Sequence, residues 1–131
     1  MTTPGGNILP IYSGGKTSGI LVDPSGEETP IRSGIDGPSR GVAGVPGMHN
    51  RIKTHVEAHA AVLMRKRGLI AATLYINRVP CPTNDPRSPG CFDNLPKMLP
   101  QKASLRVIGP DGFDVLFVGL PDLPGTMIVG L

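Results

Sequence analysis

Apolar positions in this chain alternate in short runs near both ends and take up a clear helical period only in the middle. Lys16-Thr17-Ser18-Gly19-Ile20-Leu21-Val22 reads as a strand, stopped by Asp23-Pro24-Ser25-Gly26, a tetrapeptide with strong turn chemistry. Glu28 to Ser33 returns as the second arm of a hairpin. Pro30, which donates no ladder hydrogen bond, assigns that arm to a sheet edge. The spacing of Ile52, Val56, Ala60 and Leu63 predicts a helix over Arg51–Arg67, with a basic last turn, Arg65-Lys66-Arg67, and Gly68 just past its end. Leu69 to Asn77 is apolar and partly β-branched without helical period, which predicts a buried central strand. Cys91 to Leu99 predicts a short helix that Pro96 starts or kinks. Ser104–Ile108 and Asp114–Val118 are strands joined by Gly109-Pro110-Asp111-Gly112. That connection is too short for a parallel crossover, so these last two strands are expected to be antiparallel.

The connections carry information of their own. Residues 34–47, rich in glycine and containing Pro38 and Pro46, are too long for a plain connector and read as a functional or a mobile loop. Pro82–Gly90 is a second such loop. Residues 1–12 and 121–131 lack periodicity, so both ends are expected to be flexible unless they dock. The whole chain, residues 1–131, reads as one α/β domain, a mixed five-stranded sheet with helices packed on it in three layers.

Composition narrows the function more than the fold. Glycine (18) and proline (15) make up a quarter of 131 residues, but 39% hydrophobic content with only 18% charge points to a globular domain with long loops rather than disorder. With no tryptophan, two tyrosines and three phenylalanines, a platform that stacks many successive bases is poorly supplied, whereas stacking on a single base is not. A net charge of +3 permits a polyanionic partner without requiring one. No segment approaches the roughly 20 apolar residues of a membrane helix, and Met1–Gly6 has neither the basic nor the apolar region of a signal peptide, so no membrane partner is expected.

The chemistry rests on an ordered set: His55-Val56-Glu57, then Pro80-Cys81, then Cys91. Side chains two apart on a helix point about 200° away from each other, so His55 and Glu57 could not share a site in mid-helix; in the first turn they can reach past the helix end together. One histidine and two cysteines make three zinc ligands and leave a fourth position for water, whose pKa falls to roughly 7 on the metal. Taken singly, each residue has a plainer reading. Thr54-His55-Val56-Glu57 fits a capping box, and His55 alone fits a surface histidine. The two cysteines alone fit a disulfide or a structural role. His59 reads as packing, and Arg65-Lys66-Arg67 as the cap of its own helix. Lys97, Lys102 and Arg106 are candidates for a phosphate path.

The ordered pattern resembles the cytidine-deaminase-like superfamily, with its His-x-Glu and Pro-Cys-x-x-Cys signature. It is more similar still to the bacterial toxin branch, which includes deaminases acting on double-stranded DNA. The residues that carry this likeness are His55-Val56-Glu57-Ala58-His59-Ala60-Ala61, Leu95-Pro96, Leu99-Pro100, Gly109-Pro110-Asp111-Gly112 and Gly15-Lys16-Thr17-Ser18-Gly19, within residues 12–120. Nine residues separate Cys81 from Cys91 where the signature has two. Closing the longer loop costs on the order of 1 kcal/mol, small against zinc binding, so Cys91 stays the third ligand.

The resemblance implies Zn2+ on His55, Cys81 and Cys91, with Glu57 as the catalytic proton carrier in the conversion of cytosine to uracil. It also implies weaker substrate contacts from Asn50, Ser33 and Gly34. The partners it implies are DNA and an immunity protein, the chain being the C-terminal piece of a secreted effector delivered into the cytoplasm of a target cell. Deamination of RNA or free cytidine is a second reading. A non-catalytic basic binding module with structural zinc or a disulfide is a third.

Overall fold

The computed structural model describes residues 1–79 and 91–131, with backbone alone at Cys91 and Phe92. Five strands, β1 (Ser18–Val22), β2 (Glu28–Arg32), β3 (Ala71–Ile76), β4 (Ser104–Ile108) and β5 (Asp114–Val118), form one sheet in the order β2-β1-β3-β4-β5. Only β3 and β4 run parallel; the other neighbours are antiparallel. A parallel pair needs a crossover, and helix α2 (Cys91–Met98) lies in it. The sequence expectations for the mixed sheet hold: β2 with Pro30 is an edge strand, β3 is central, and β4 and β5 close as an antiparallel hairpin.

Helix α1 (Val56–Arg67) starts later than its apolar spacing predicts. Residues 49–55 form tight turns instead: the Ile52 and Lys53 N–H groups donate to the His49 carbonyl, and the His55 N–H donates to the Ile52 carbonyl. His55 itself is extended (φ −76°, ψ 153°) and is the N-cap, so Ile52 reaches the core from a turn rather than from the helix stripe. At the other end Gly68 adopts the left-handed conformation, its N–H returning to Arg65 and Met64. Every residue from Val56 to Met64 is buried, so the helix is enclosed on all sides rather than presenting one apolar stripe. Small side chains at Ala58, Ala60 and Ala61 allow that enclosure by the sheet, by α2 and by the 34–47 segment.

The two helices share one core with the sheet face carrying Leu21, Leu74, Ile76, Leu105, Val107 and Phe117. Gly19 of β1 brings α1 close: a Cβ there would lie 2.6 Å from Val56 Cγ1, so the helix N-terminus sits tight against the strand. Leu9 and Ile20 are buried outside this core, on the far side of β1, where residues 7–10 cross the β1–β2 end. That arm is tied down by Glu28, whose carboxylate accepts from Thr3 Oγ1, the Gly5 N–H and Asn7 Nδ2. Among the described residues no helix is long and apolar enough to cross a membrane.

The C-terminal segment docks on the same body. Val129 and Ala43 exchange backbone hydrogen bonds at 3.0 and 3.1 Å. Arg65 does not cap its own helix: its Nε donates to the Met98 carbonyl, its Nη2 to the Leu99 carbonyl, and both Nη atoms to Asp122. One nearly buried guanidinium therefore closes the end of α2 and holds the tail. The Arg65 hydrogen bonds keep the Asp122 carboxyl below its ordinary value of 3.8. Its contribution is thus present above that value and lost as pH falls through the lower folded-state value. Asp122→Asn is expected to be less stable than wild type at neutral pH, with the difference shrinking below about pH 4; urea midpoints at several pH values measure it.

Candidate active site

His55 and Glu57 meet on the wall of one pocket of about 310 Å³, at the lower end of the roughly 300–1,000 Å³ of small-molecule sites. The pocket opens where the N-terminus of α1 faces the start of β1 and the end of β3. Because β1 and β3 are antiparallel neighbours, with Gly19 opposite Ile76, Lys16 and Thr17 come beside Arg78 and Val79. Ser33 and Gly34, at the exit of β2, complete the rim.

Glu57 is 3% exposed, and no described residue gives its carboxylate a hydrogen bond or an ion pair. The capping-box reading fails, because the N-cap is His55 rather than Thr54 and makes no side-chain cap hydrogen bond. A buried carboxylate without a partner is costly, and such exceptions call for a functional explanation. The positive end of the helix dipole offsets part of the cost and favours anionic character in the pocket.

Ser33 joins the two strands at the rim: its Oγ accepts from the Thr17 N–H at 2.8 Å, and its own N–H donates to the Thr17 carbonyl at 2.9 Å. Gly34 is held from both directions, its N–H donating to the Thr54 carbonyl at 2.8 Å and its carbonyl accepting from His59 Nε2 at 2.9 Å. The other ring nitrogen of His59, Nδ1, accepts the Ser39 N–H at 3.1 Å. These two partners fix a neutral ring protonated at Nε2, and burial, the largest influence, holds its pKa below the ordinary 6.5. With both nitrogens occupied, His59 is not free to ligate a metal. It packs, as its sequence position suggests, and it also pins the 34–39 segment against α1.

Asn50 is not brought to the pocket; it is exposed in the turns before α1. Arg106 is engaged by Asp114 across the β4–β5 pair, and neither it nor Lys97 nor Lys102 lines the pocket. The cations that do so are Lys16, within the Gly15–Gly19 stretch that carries the family likeness, and Arg78, which the sequence does not single out. Cys81 and the Pro82–Gly90 loop lie outside the described residues, as does the Cys91 side chain; the Cys91 backbone opens α2.

A family model of SCP1.201-like deaminases matches residues 3–120. The chain belongs to the SCP1.201-like deaminase family. It is thereby a member of the cytidine-deaminase-like superfamily, and the α/β fold with its mixed five-stranded sheet agrees with that membership. Comparison with curated proteins gives no significant match. Deaminases of this superfamily are typically zinc-dependent. Among the described residues of this deaminase no three His, Cys, Asp or Glu side chains cluster to hold a metal. The described part of the donor set nevertheless suits zinc: a histidine at a helix N-terminus lines the same pocket as a buried carboxylate that has no partner among the described residues.

Proposed function

We propose that this deaminase converts cytosine to uracil in DNA with the help of zinc, as the toxic effector domain of a bacterial antagonism protein. The observation that carries the reading is the buried Glu57 carboxylate, unpartnered among the described residues and beside His55 on the pocket wall. His55, Cys81 and Cys91 would hold the zinc, which when bound supplies the Lewis acidity that makes water a nucleophile near neutral pH. Glu57 takes a proton from the attacking water and delivers it to N3 of cytosine as the oxygen bonds to C4. It then carries the remaining hydroxyl proton to the exocyclic amine, which leaves as ammonia, giving uracil. The rim of Thr17, Ser33 and Gly34 offers the Thr17 and Ser33 hydroxyls that orient the base. A pocket of this size takes one base, so the target nucleotide must be single-stranded or turned out of a duplex. Resemblance to the toxin branch supports delivery into the cytoplasm of a target cell and restraint by an immunity protein.

Removing the metal tests the reading directly. Chelation followed by desalting is expected to abolish uracil formation from cytosine-containing DNA, and added Zn2+ to restore it, with one zinc per chain by elemental analysis. Full activity in metal-free protein would overturn the zinc assignment, and loss of stability in reductant without bound zinc would favour a disulfide module.

A further inference from the structure

The pocket mouth carries two cations whose role the chemistry above leaves open. Arg78 and Lys16 are exposed, line the pocket, and form no ion pair with any described carboxylate. The carboxylate among the lining residues, Glu57, is buried. Arg78 is not loose: its guanidinium lies 4.9 Å from the centre of the Tyr12 ring, and its Nη1 donates to the Tyr12 hydroxyl at 3.1 Å. The adjoining Asn77 anchors the same arm, its Nδ2 donating to the Pro10 carbonyl at 3.0 Å, while its Oδ1 accepts the Ser18 N–H at 3.0 Å. Residues 10–12 are thus bound to the end of β3, and they hold a fixed cation beside the pocket. An orienting ring that leaves the charge unneutralised suits recognition of an external anion.

We propose that Arg78, positioned by Tyr12, and Lys16 clamp the phosphates that flank the target cytosine, which makes a phosphodiester-linked cytosine rather than a free nucleoside the preferred substrate. This rests on the cytosine-deaminase reading. Two cations from neighbouring strands beside one pocket contact the backbone on either side of an extruded base, positioning it without reading sequence.

The test measures binding apart from chemistry. A fluorescent single-stranded oligonucleotide with uracil at the target position is titrated at several salt concentrations, so no turnover intervenes. Arg78→Ala and Lys16→Ala are each expected to lower the slope of log affinity against log salt by about 0.7, the loss of one phosphate contact on a single strand. Arg78→Lys should keep the slope, and Tyr12→Ala should weaken binding by several-fold. With the cytosine substrate, Arg78→Ala should raise KM about tenfold, the loss falling on KM rather than kcat. Thermal melts identify any variant that has lost its fold. Unchanged slope and KM in both alanine variants would overturn the clamp. A reduced slope without uracil formation by wild-type protein would keep the phosphate clamp and reject the cytosine-deaminase reading.

Discussion

Glu57→Gln is expected to lower deaminase turnover by about 10²–10⁴-fold, the usual worth of a positioned acid–base group, while the melting temperature stays the same or rises. The two halves of that result come from one observation. Glutamine has nearly the same shape and fits where glutamate is 3% exposed. It cannot accept the water proton, so the chemistry stops. A buried charge with no described partner is a burden on the fold, and replacing it by a neutral amide relieves part of that burden. A structural Glu57 would give the reverse pattern, with a lowered melting temperature and modest kinetic change. Uracil release and a thermal melt on the same preparation separate the two.

His59→Phe is expected to destabilise the protein by about 2–3 kcal/mol, from one orphaned buried N–H at roughly 1–3 kcal/mol and one half-buried carbonyl that loses less. In a domain of this size that lowers the melting temperature by roughly 10 °C. Phenylalanine keeps the ring volume, so the loss isolates the hydrogen bonds from the Ser39 N–H and to the Gly34 carbonyl. Because Gly34 borders the pocket, kcat/KM should fall along with stability. Gly37→Ala should act in the same direction from the other side. A Cβ at residue 37 would lie 2.5–2.8 Å from three atoms of the His59 ring and would push it off both partners. Wild-type stability in His59→Phe would show that the 34–39 segment is held by other contacts.

Those contacts explain what was and was not legible in the sequence. The strands, the edge position of Pro30 and the closing hairpin were readable because alternation, a missing N–H and loop length act locally. The helix start was not, since Ile52 keeps the apolar spacing of Val56, Ala60 and Leu63 while the extended backbone of His55 ends the helix before it. His55 and Glu57 were legible as a pair through their order and spacing, although local sequence equally allowed a capping box. Deciding between them required the N-cap to fall on His55 rather than Thr54. Lys16 and Arg78 lie 62 positions apart in sequence and become neighbours only through the antiparallel pairing of β1 with β3. Likewise, the basic turn at Arg65 looked like a cap for its own helix until α2 and Asp122 were placed beside it. Exposed or long-reaching cations carry no periodic signal, so their partners are fixed by topology alone.

Cytosine deamination by this protein is tested by uracil formation in matched single-stranded and double-stranded DNA of one sequence, at defined zinc and salt, with wild-type protein and Glu57→Ala side by side. Uracil is expected at cytosine positions in at least one of the two substrates with wild-type protein and in neither with Glu57→Ala, and the ratio between the substrates gives the strand preference. No uracil in either substrate from zinc-loaded wild-type protein would contradict cytosine deamination in DNA.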